Sequence, residues 1–259
     1  MVDSLADPLL RVENLVRRFG GIAATDHLSL DVANGELHAI IGPNGAGKTT
    51  LISQLTGQLL PNSGTIRFAG QEITWMPSYK RSALGLARSF QITSLLSDFT
   101  ALDNVALAAQ AHDGHSFYFW SSARKEKHLR EAARSALARV GLEHRADVLV
   151  SQLSHGEQRE LELAVALATK PRLLLLDEPM AGLGITESAR MVKLLQELRR
   201  ELTIVLVEHD MEAVFALADR ITVLVYGRVI ASDQPAAIRR NEEVKRAYLG
   251  DQHAVTRHG

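Results

Sequence analysis

The chain has 259 residues, 46% of them hydrophobic and 23% charged, which is ordinary for a soluble globular protein with one large or two small domains. Its formal net charge of −1 gives no global attraction for nucleic acid, and the lack of cysteine excludes disulfides, zinc–thiolate sites and thiol catalysis. Residues 1–8 contain two aspartates and no long apolar run, so we expect no secretory signal there, and no stretch of the sequence predicts a membrane span. We therefore expect a cytosolic chain that can dock on a membrane protein.

The pattern of apolar residues predicts a β-rich start, a helical middle and an alternating end. The predicted strands of the first part are 11–19, 27–32, 37–41 and 65–68, with a helix at 49–56. The predicted helices of the middle part are 102–111, 124–140 and 155–168. The last part alternates strands at 173–176, 203–207 and 221–226 with helices at 186–201 and 211–218. Continuous apolar strands between helices predict a parallel sheet that is buried on both faces.

A strand, a glycine-rich loop and a helix together predict a phosphate-binding site. The loop matches G-x-x-x-x-G-K-[ST] over Gly42, Pro43, Asn44, Gly45, Ala46, Gly47, Lys48 and Thr49, and Thr50 follows it in the helix. Backbone N–H groups and the helix N-terminus favour an anion at such a loop. Lys48 would contact the β- and γ-phosphates, and Thr49 would offer its hydroxyl to Mg²⁺. The alternative is a glycine-rich turn with an incidental lysine, which the flanking strand and helix disfavour.

Two acids, Asp177 and Glu178, follow the predicted apolar strand 173–176. Phosphate-loop enzymes hold Mg²⁺ and a catalytic base at such a strand end. Asp177 would act on the metal through water, and Glu178 would orient or deprotonate the water that attacks the γ-phosphate. The alternative is an exposed acidic turn, which is less favoured in a chain that also carries a phosphate loop.

His209 follows the next predicted strand, within Glu208-His209-Asp210. A histidine at this place can contact the γ-phosphate and sense its loss. The other nine histidines are interpreted as ordinary surface or core residues.

The order of these motifs resembles that of the ATP-binding cassette (ABC) ATPases. The chain carries, in order, the phosphate loop as Walker A, Gln91 in Arg88-Ser89-Phe90-Gln91 as the Q-loop, Leu153-Ser154-His155-Gly156-Glu157-Gln158-Arg159 as the signature, Asp177-Glu178 as Walker B and His209 as the switch histidine. The resemblance implies an α/β P-loop NTPase core with a mainly parallel sheet, an N-terminal antiparallel β lobe and an inserted α-helical lobe. Residues 1–259 would form one ABC ATPase domain. Its core and β lobe would cover 9–94 and 161–235, its helical lobe about 95–160, and its tail 236–259.

The resemblance also implies the cofactors ATP and Mg²⁺ and a role for each site residue. Phe19 would stack on adenine, and Thr49, Gln91 and Asp177 would position the metal. Glu178 and His209 would be catalytic in the hydrolysis of ATP to ADP and phosphate. Ser154, Gly156 and Glu157 would reach ATP held by the phosphate loop of a second subunit, so two ATP molecules would be sandwiched in a head-to-tail dimer. Without the resemblance, the signature segment would be interpreted as an ordinary helix cap.

Three positions depart from the common pattern of the family. His155 replaces the first glycine of the signature, Glu157 replaces its glutamine, and Gly184 stands where an aspartate is common after Walker B. The serine and the second glycine remain, so phosphate contact should survive. The coupling of the two ATP sites must use groups other than an aspartate side chain, and the equivalence of the two sites stays open.

Several segments look like those of ATP-binding subunits of branched-chain amino acid importers: 19–21, 85–91, the tail 240–250 and the aromatic cluster 117–120. The cluster could contact a permease or simply pack the helical lobe. The implied partners are a second ABC ATPase subunit, identical or related, integral-membrane permease subunits and a separate periplasmic receptor, with no nucleic acid. The chain would then lie on the inner face of the cell membrane.

Other functions remain open at this point. A urea or short-amide importer shares these features. A soluble ABC ATPase of an assembly complex would have soluble partners instead. A nucleic-acid-linked cassette protein is disfavoured because the chain has no long coiled-coil insertion, zinc cysteines or second cassette, and a non-enzymatic nucleotide sensor is disfavoured by Glu178 and His209.

Overall fold

The structure, a computed structural model, describes residues 7–89, 95–112 and 127–247. Its strands are β1 (Leu10–Phe19), β2 (Ile22–Val32), β3 (Leu37–Ile41), β4 (Ser63–Phe68), β5 (Gln71–Glu72), β6 (Leu86–Arg88), β7 (Leu173–Asp177), β8 (Thr203–Val207), β9 (Arg220–Val225) and β10 (Arg228–Asp233). Its α-helices are α1 (Lys48–Leu55), α2 (Ser78–Ala83), α3 (Ala101–His112), α4 (Lys127–Arg139), α5 (His155–Ala168), α6 (Ile185–Leu198), α7 (Met211–Leu217) and α8 (Pro235–Arg240). They form two compact units, the first made of residues up to 81 and from 198 onward, the second of residues 82–197.

The first unit contains an antiparallel sheet with the strand order β2-β1-β4-β5. Leu10 of its central strand lies opposite Val32 on one side and Phe68 on the other, and all three are buried. This alternation of apolar residues gives the sheet one buried face. The predicted N-terminal antiparallel lobe is therefore confirmed.

The same unit contains strands in the order β10-β9-β3-β8, of which β9, β3 and β8 run parallel. All residues of β3 and β8 are buried, as expected for a parallel sheet covered on both faces. His38 of β3 is a core histidine, with Nδ1 3.1 Å from Glu36 Oε1 and Nε2 2.7 Å from Thr222 Oγ1. The predicted parallel sheet is confirmed. The phosphate loop follows directly after β3 in the chain.

Helix α1 is stabilised at its C-terminal end by the fully buried side chain of Arg81. The Arg81 guanidinium donates to the carbonyl oxygens of Gln54 (2.7 Å), Leu55 (2.8 Å), Thr74 (2.9 Å) and Met76 (2.8 Å). Burial lowers the pKa of Arg81 to about 10, so the group is still a cation at neutral pH. A cation at this end is favoured because the last carbonyls of a helix carry partial negative charge.

The second unit combines a short parallel strand pair with helices. Strand β6 pairs in parallel with β7, with Arg88 opposite Leu175. Helices α3, α4 and α5 pack on one another, and two short 3-10 helices, Glu143–Arg145 and Val150–Gln152, precede α5. Helix α4 buries Leu129, Ala133, Ala136 and Leu137 at helical spacing, which explains why its sequence predicts a helix. The inserted α-helical lobe is confirmed, whereas its predicted limits at about 95 and 160 stay a prediction.

The structure adds five elements to the predicted set and shifts some boundaries. Strand β2 begins at Ile22 instead of 27, because the segment 22–27 pairs with β1 in spite of its mixed composition. Elements α2, β5, β6, β10 and α8 have two to six residues each and either are polar or mix apolar with polar residues, so they show no clear period in the sequence. Helix α6 ends at Leu198 instead of 201, where a turn follows.

Replacing Arg81 by alanine should destabilise the first unit, because four carbonyl groups would lose their donor, three of them in buried hydrogen bonds. We expect the free energy of unfolding to fall by roughly 3–5 kcal/mol, measured by urea denaturation of the full chain. The matched control is Lys80→Ala in the same helix, where the side chain is exposed and the change should stay within about 0.5 kcal/mol. Equal stability of R81A and the wild type would contradict the proposed capping of α1.

Candidate functional site

The phosphate loop is fixed by backbone contacts that leave no room for side chains at two glycines. Gly47 has φ 101°, and a Cβ atom there would lie 2.1 Å from the carbonyl oxygen of Ala24. A Cβ atom on Gly42 would lie 2.2 Å from the carbonyl oxygen of Leu224. Gly227 N donates to Ala46 O at 2.9 Å and holds the loop from the same side. The loop is thus shaped by its own surroundings in the first unit.

Lys48 is the first residue of α1, and its side chain folds back into the loop. Its Nζ donates to Gly42 O at 2.6 Å and to Pro43 O at 3.0 Å, and the residue is buried. Gly47 is the N-cap and has no side chain with which to cap the first-turn amides. Thr49 is exposed and Thr50 is partly exposed in that turn. The loop therefore presents amides, an ammonium group and a hydroxyl, which suits a bound phosphate chain.

Phe19 lies at the end of β1 with 49% of its surface exposed. The Arg17 guanidinium carbon lies 4.9 Å from the centroid of the Phe19 ring, a cation–π distance that orients the ring. An exposed, oriented aromatic ring can stack on a nucleotide base, as predicted for this residue.

Hydrogen bonds of the two neighbouring acids fix the backbone around His209. The buried carboxylate of Glu208 accepts from His209 N at 2.8 Å. Asp210 caps α7 by accepting from Glu212 N at 2.9 Å and from Ala213 N at 3.1 Å. The imidazole of His209 is exposed on this turn. Glu208 and Asp210 therefore position the histidine, a role that the sequence alone does not show.

Asp177, in the second unit, is the last residue of β7, and its side chain is fully buried. The Arg88 guanidinium, on the neighbouring β6, donates to Asp177 Oδ2 at 2.9 Å. Sequence reasoning missed Arg88 as a site residue, although a charged residue that ends the short apolar segment Leu86–Arg88 was a usable signal.

Glu178 adopts a left-handed backbone conformation, with φ 53°. A non-glycine residue in this region costs roughly 1–2 kcal/mol, and such residues concentrate at functional sites. Its carbonyl accepts from Ala181 N at 3.1 Å, so the chain turns sharply after the strand. The turn carries the partly exposed Glu178 side chain at the carboxyl end of β7.

The signature segment forms a capping box at the start of α5. Ser154 is the N-cap, and its Oγ accepts from Glu157 N at 3.3 Å while Glu157 Oε2 accepts from Ser154 N at 2.8 Å. Arg145 lies 2.9 Å from Glu157 as an ion pair. Burial opposes the charge on Glu157, but the bonds from Ser154 and the charge of Arg145 together lower the pKa of that carboxyl. The glutamate that departs from the common signature thus supports the helix start.

Gly156 is close to a carboxylate that sequence reasoning also missed. A Cβ atom on Gly156 would lie 2.6 Å from Glu187 Oε1, and Glu187 Oε2 accepts from Gly184 N at 3.0 Å. The His155 ring lies against Gly182, where a Cβ atom would be 3.3 Å from the ring carbon Cε1. Two of the three positions that depart from the family pattern, His155 and Gly184, therefore lie where the start of α5 meets the start of α6 and the segment before it.

The predicted site residues divide between the two units. The first unit carries Phe19, the phosphate loop from Gly42 to Gly47, Lys48, Thr49, Thr50 and His209, and the second carries Ser154, Gly156, Glu157, Asp177 and Glu178. Gln91, the aromatic cluster 117–120 and residues 248–250 lie outside the described residues. Within 7–89, 95–112 and 127–247, none of the helices has the length and apolar character needed to span a bilayer.

Comparison with known proteins identifies the family. Residues 25–181 match the profile of the ABC transporter family, and residues 228–254 match that of the branched-chain amino acid ATP-binding cassette transporters. The chain is 39% identical over 254 residues to the high-affinity branched-chain amino acid transport ATP-binding protein BraF of Pseudomonas aeruginosa, covering 95% of this chain and 100% of BraF.

Solved structures agree with the sequence matches. The ADP conformation of MJ1267, an ATP-binding cassette of an ABC transporter, superposes with a TM-score of 0.85 at 29% identity, covering 95% of this chain and 100% of MJ1267. The dimeric post-hydrolysis state of the ATP-binding cassette MJ0796, bound to ADP and Pi, gives a TM-score of 0.74 at 25% identity over 87% of this chain and 98% of that chain. These findings confirm the resemblance drawn from the order of the motifs: the chain belongs to the ABC transporter family, as an ATP-binding cassette.

Proposed function

We propose that this chain is the ATP-hydrolysing subunit of an ABC importer and that it powers the uptake of branched-chain amino acids. The observation that carries the proposal is the phosphate loop. Lys48 Nζ donates to Gly42 O and Pro43 O, and the first amides of α1 have no side-chain cap. The name of BraF, matched over its full length, and the match of residues 228–254 support the substrate class.

The site residues suit a Mg²⁺–ATP complex. Mg²⁺ prefers oxygen ligands, and the chain offers the Thr49 hydroxyl beside the phosphate loop and the Asp177 carboxylate at the end of β7. Gln91 is a further proposed contributor. When bound, the ion would supply positive charge to the β- and γ-phosphates.

The chain's own residues would divide the work of hydrolysis. Lys48 and the loop amides would hold the phosphates, and Phe19 would hold the adenine ring. Glu178 would accept a proton from, or orient, the attacking water, a role worth roughly 10²–10⁴-fold in rate. His209, on its fixed turn, would contact the γ-phosphate and report its loss.

A second subunit would complete each ATP site. The start of α5 offers the Ser154 hydroxyl and the amides beside Gly156, which suit a phosphate group. We place Glu157 as a positioning residue of this surface, because its carboxylate is engaged by Ser154 and Arg145 and a free carboxylate would repel phosphate. The dimeric MJ0796 structure with ADP and Pi supports such an arrangement. The second subunit would be a copy of this chain or a related cassette.

The other proposed partners are membrane permease subunits and a separate periplasmic receptor that binds the solute. The chain would then sit on the inner face of the cell membrane through the permease. Closure of the ATP sites would move the helices of the second unit and so act on the permease.

Glu178→Gln should slow hydrolysis by about 10²–10⁴-fold while nucleotide binding stays intact, because the amide cannot take the proton. Single-turnover hydrolysis of radiolabelled ATP and equilibrium binding of ATP measure the two effects separately. Lys48→Ala is the contrasting variant and should lose nucleotide affinity. Hydrolysis by E178Q at the wild-type rate would refute the role of Glu178.

Ser154→Ala should weaken the start of α5, because the Glu157 amide would lose its acceptor. We expect a loss of about 1 kcal/mol in the free energy of unfolding, together with weaker ATP-dependent association of the E178Q variant. Urea denaturation and sedimentation of E178Q/S154A against E178Q measure these effects. Ser151→Ala, an exposed serine nearby, is the control. Unaltered association would argue against a contact of Ser154 with ATP.

Copurification from native membranes tests the proposal as a whole. The tagged chain should bring down a permease and, after reconstitution with the cognate receptor, drive ATP-dependent uptake of leucine, isoleucine or valine but not of urea or acetamide. Uptake of urea or acetamide alone would reassign the substrate. Recovery with soluble partners only would reject the importer.

A further inference from the structure

Four charged side chains lie close together in the second unit, two of them buried acids and two largely buried arginines. The first pair joins Arg88 to Asp177, with side chains 10% and 0% exposed. The second pair joins Arg159 to Glu162 on α5 at 2.9 Å, with side chains 13% and 6% exposed. Asp177 and both members of the second pair line a single cavity of about 10 Å³, together with Ser89. Two cations and two anions therefore share one small region behind the carboxyl end of β7.

Charges in such a place interact strongly. The effective dielectric constant of a protein interior is far below that of water, so each buried cation changes the free energy of any further cation that approaches Asp177. A buried acid that loses its partner is also costly, so the contact with Arg88 stabilises the fold around Asp177. Arg88 is suited to hold Asp177 because its planar guanidinium group fixes the orientation of the carboxylate.

We propose that Arg88 is a positioning residue for ATP hydrolysis: it is a counterion that orients Asp177, and it sets how much Mg²⁺ the site requires. The inference rests on the proposed function, in which Asp177 acts on Mg²⁺. Arg88 donates to an oxygen of the same carboxylate at 2.9 Å, so it competes with the ion for the charge of Asp177. Arg88 stands three positions before Gln91 in the sequence, so the counterion belongs to the same motif as the Q-loop glutamine.

Glu162 has the complementary role. It holds the Arg159 guanidinium through a hydrogen bond of 2.9 Å on the helix that begins with the signature motif. Without that carboxylate, Arg159 would become a second cation at the cavity that Asp177 lines. Glu162 thereby keeps the cavity from gaining positive charge, and α5 connects the signature surface with the charge balance at Asp177.

Binding of a fluorescent ADP analogue to the full chain, titrated with Mg²⁺, tests these roles without relying on hydrolysis. In Arg88→Gln the Mg²⁺ concentration at half-saturation should fall about tenfold, because a competing charge is removed, while the melting temperature without Mg²⁺ should also fall. Glu162→Gln should move the half-saturation the opposite way, upward by about threefold. The double variant R159Q/E162Q removes the added cation and should return to within about twofold of the wild type.

The opposite signs separate positioning from structural damage, which would weaken Mg²⁺ binding in both single variants. Arg88→Lys keeps the positive charge but not the planar guanidinium, and it tests the proposal if R88Q does not fold. Its Mg²⁺ concentration at half-saturation should fall by about threefold. Arg130→Gln is the control, since it removes the arginine partner of the buried Asp103 in the same unit and should leave the Mg²⁺ requirement unchanged.

The outcomes distinguish this inference from the proposed function. If the wild-type chain fails to bind the ADP analogue at any Mg²⁺ concentration, the proposed function itself fails. If the analogue binds but R88Q or R88K needs as much Mg²⁺ as the wild type or more, Arg88 is not a competing counterion. If E162Q lowers the Mg²⁺ requirement, the role of Glu162 is overturned.

Discussion

Helix α1 couples the fold of the first unit to nucleotide chemistry through the charges at its two ends. At its C-terminal end the buried Arg81 guanidinium takes up the last carbonyl groups. At its N-terminal end Gly47 leaves the first amides to a phosphate, and Lys48 adds a positive charge. A cation at one end and an anion at the other both complement the helix dipole, so protein stability and nucleotide binding favour the same helix position. The phosphate loop depends on this helix for its direction.

Backbone packing, as well as phosphate binding, explains the glycines of the loop. Ala24 and Leu224 approach Gly47 and Gly42 so closely that a methyl group at either position would overlap a carbonyl oxygen. The loop would need these glycines for its shape even before a nucleotide binds. An inactive variant at either glycine therefore reports on folding as much as on phosphate contact.

The sequence predicts the parts of this protein that depend on local pattern, and it fails where tertiary contacts decide. Strands such as β3 and β8 are mainly apolar, so their predicted positions are correct, and motif order points to Lys48, Asp177 and Glu178. Strand β6 is too short to show a pattern, and the role of Arg88 becomes apparent only from its hydrogen bond to Asp177. Glu187 and Arg81 are similar cases. Glu187 lies close to Gly156, 31 positions earlier, and Arg81 donates to a backbone carbonyl of Gln54, 27 positions earlier. Glu157, which replaces the common glutamine of the signature, is explained only by the structure, in which it completes a capping box with Ser154.

The capping box has a consequence for the hydrogen atom of Ser154. A hydroxyl group has two lone pairs and a single proton. In the structure the oxygen uses a lone pair to accept from the Glu157 amide, and this contact leaves the direction of the proton open to rotation about the Cβ–Oγ bond. The same side chain can therefore cap its own helix and donate to an acceptor outside the chain, without giving up one bond to form the other. An alanine at this position would lose both abilities together and a cysteine would weaken both, whereas threonine would retain them.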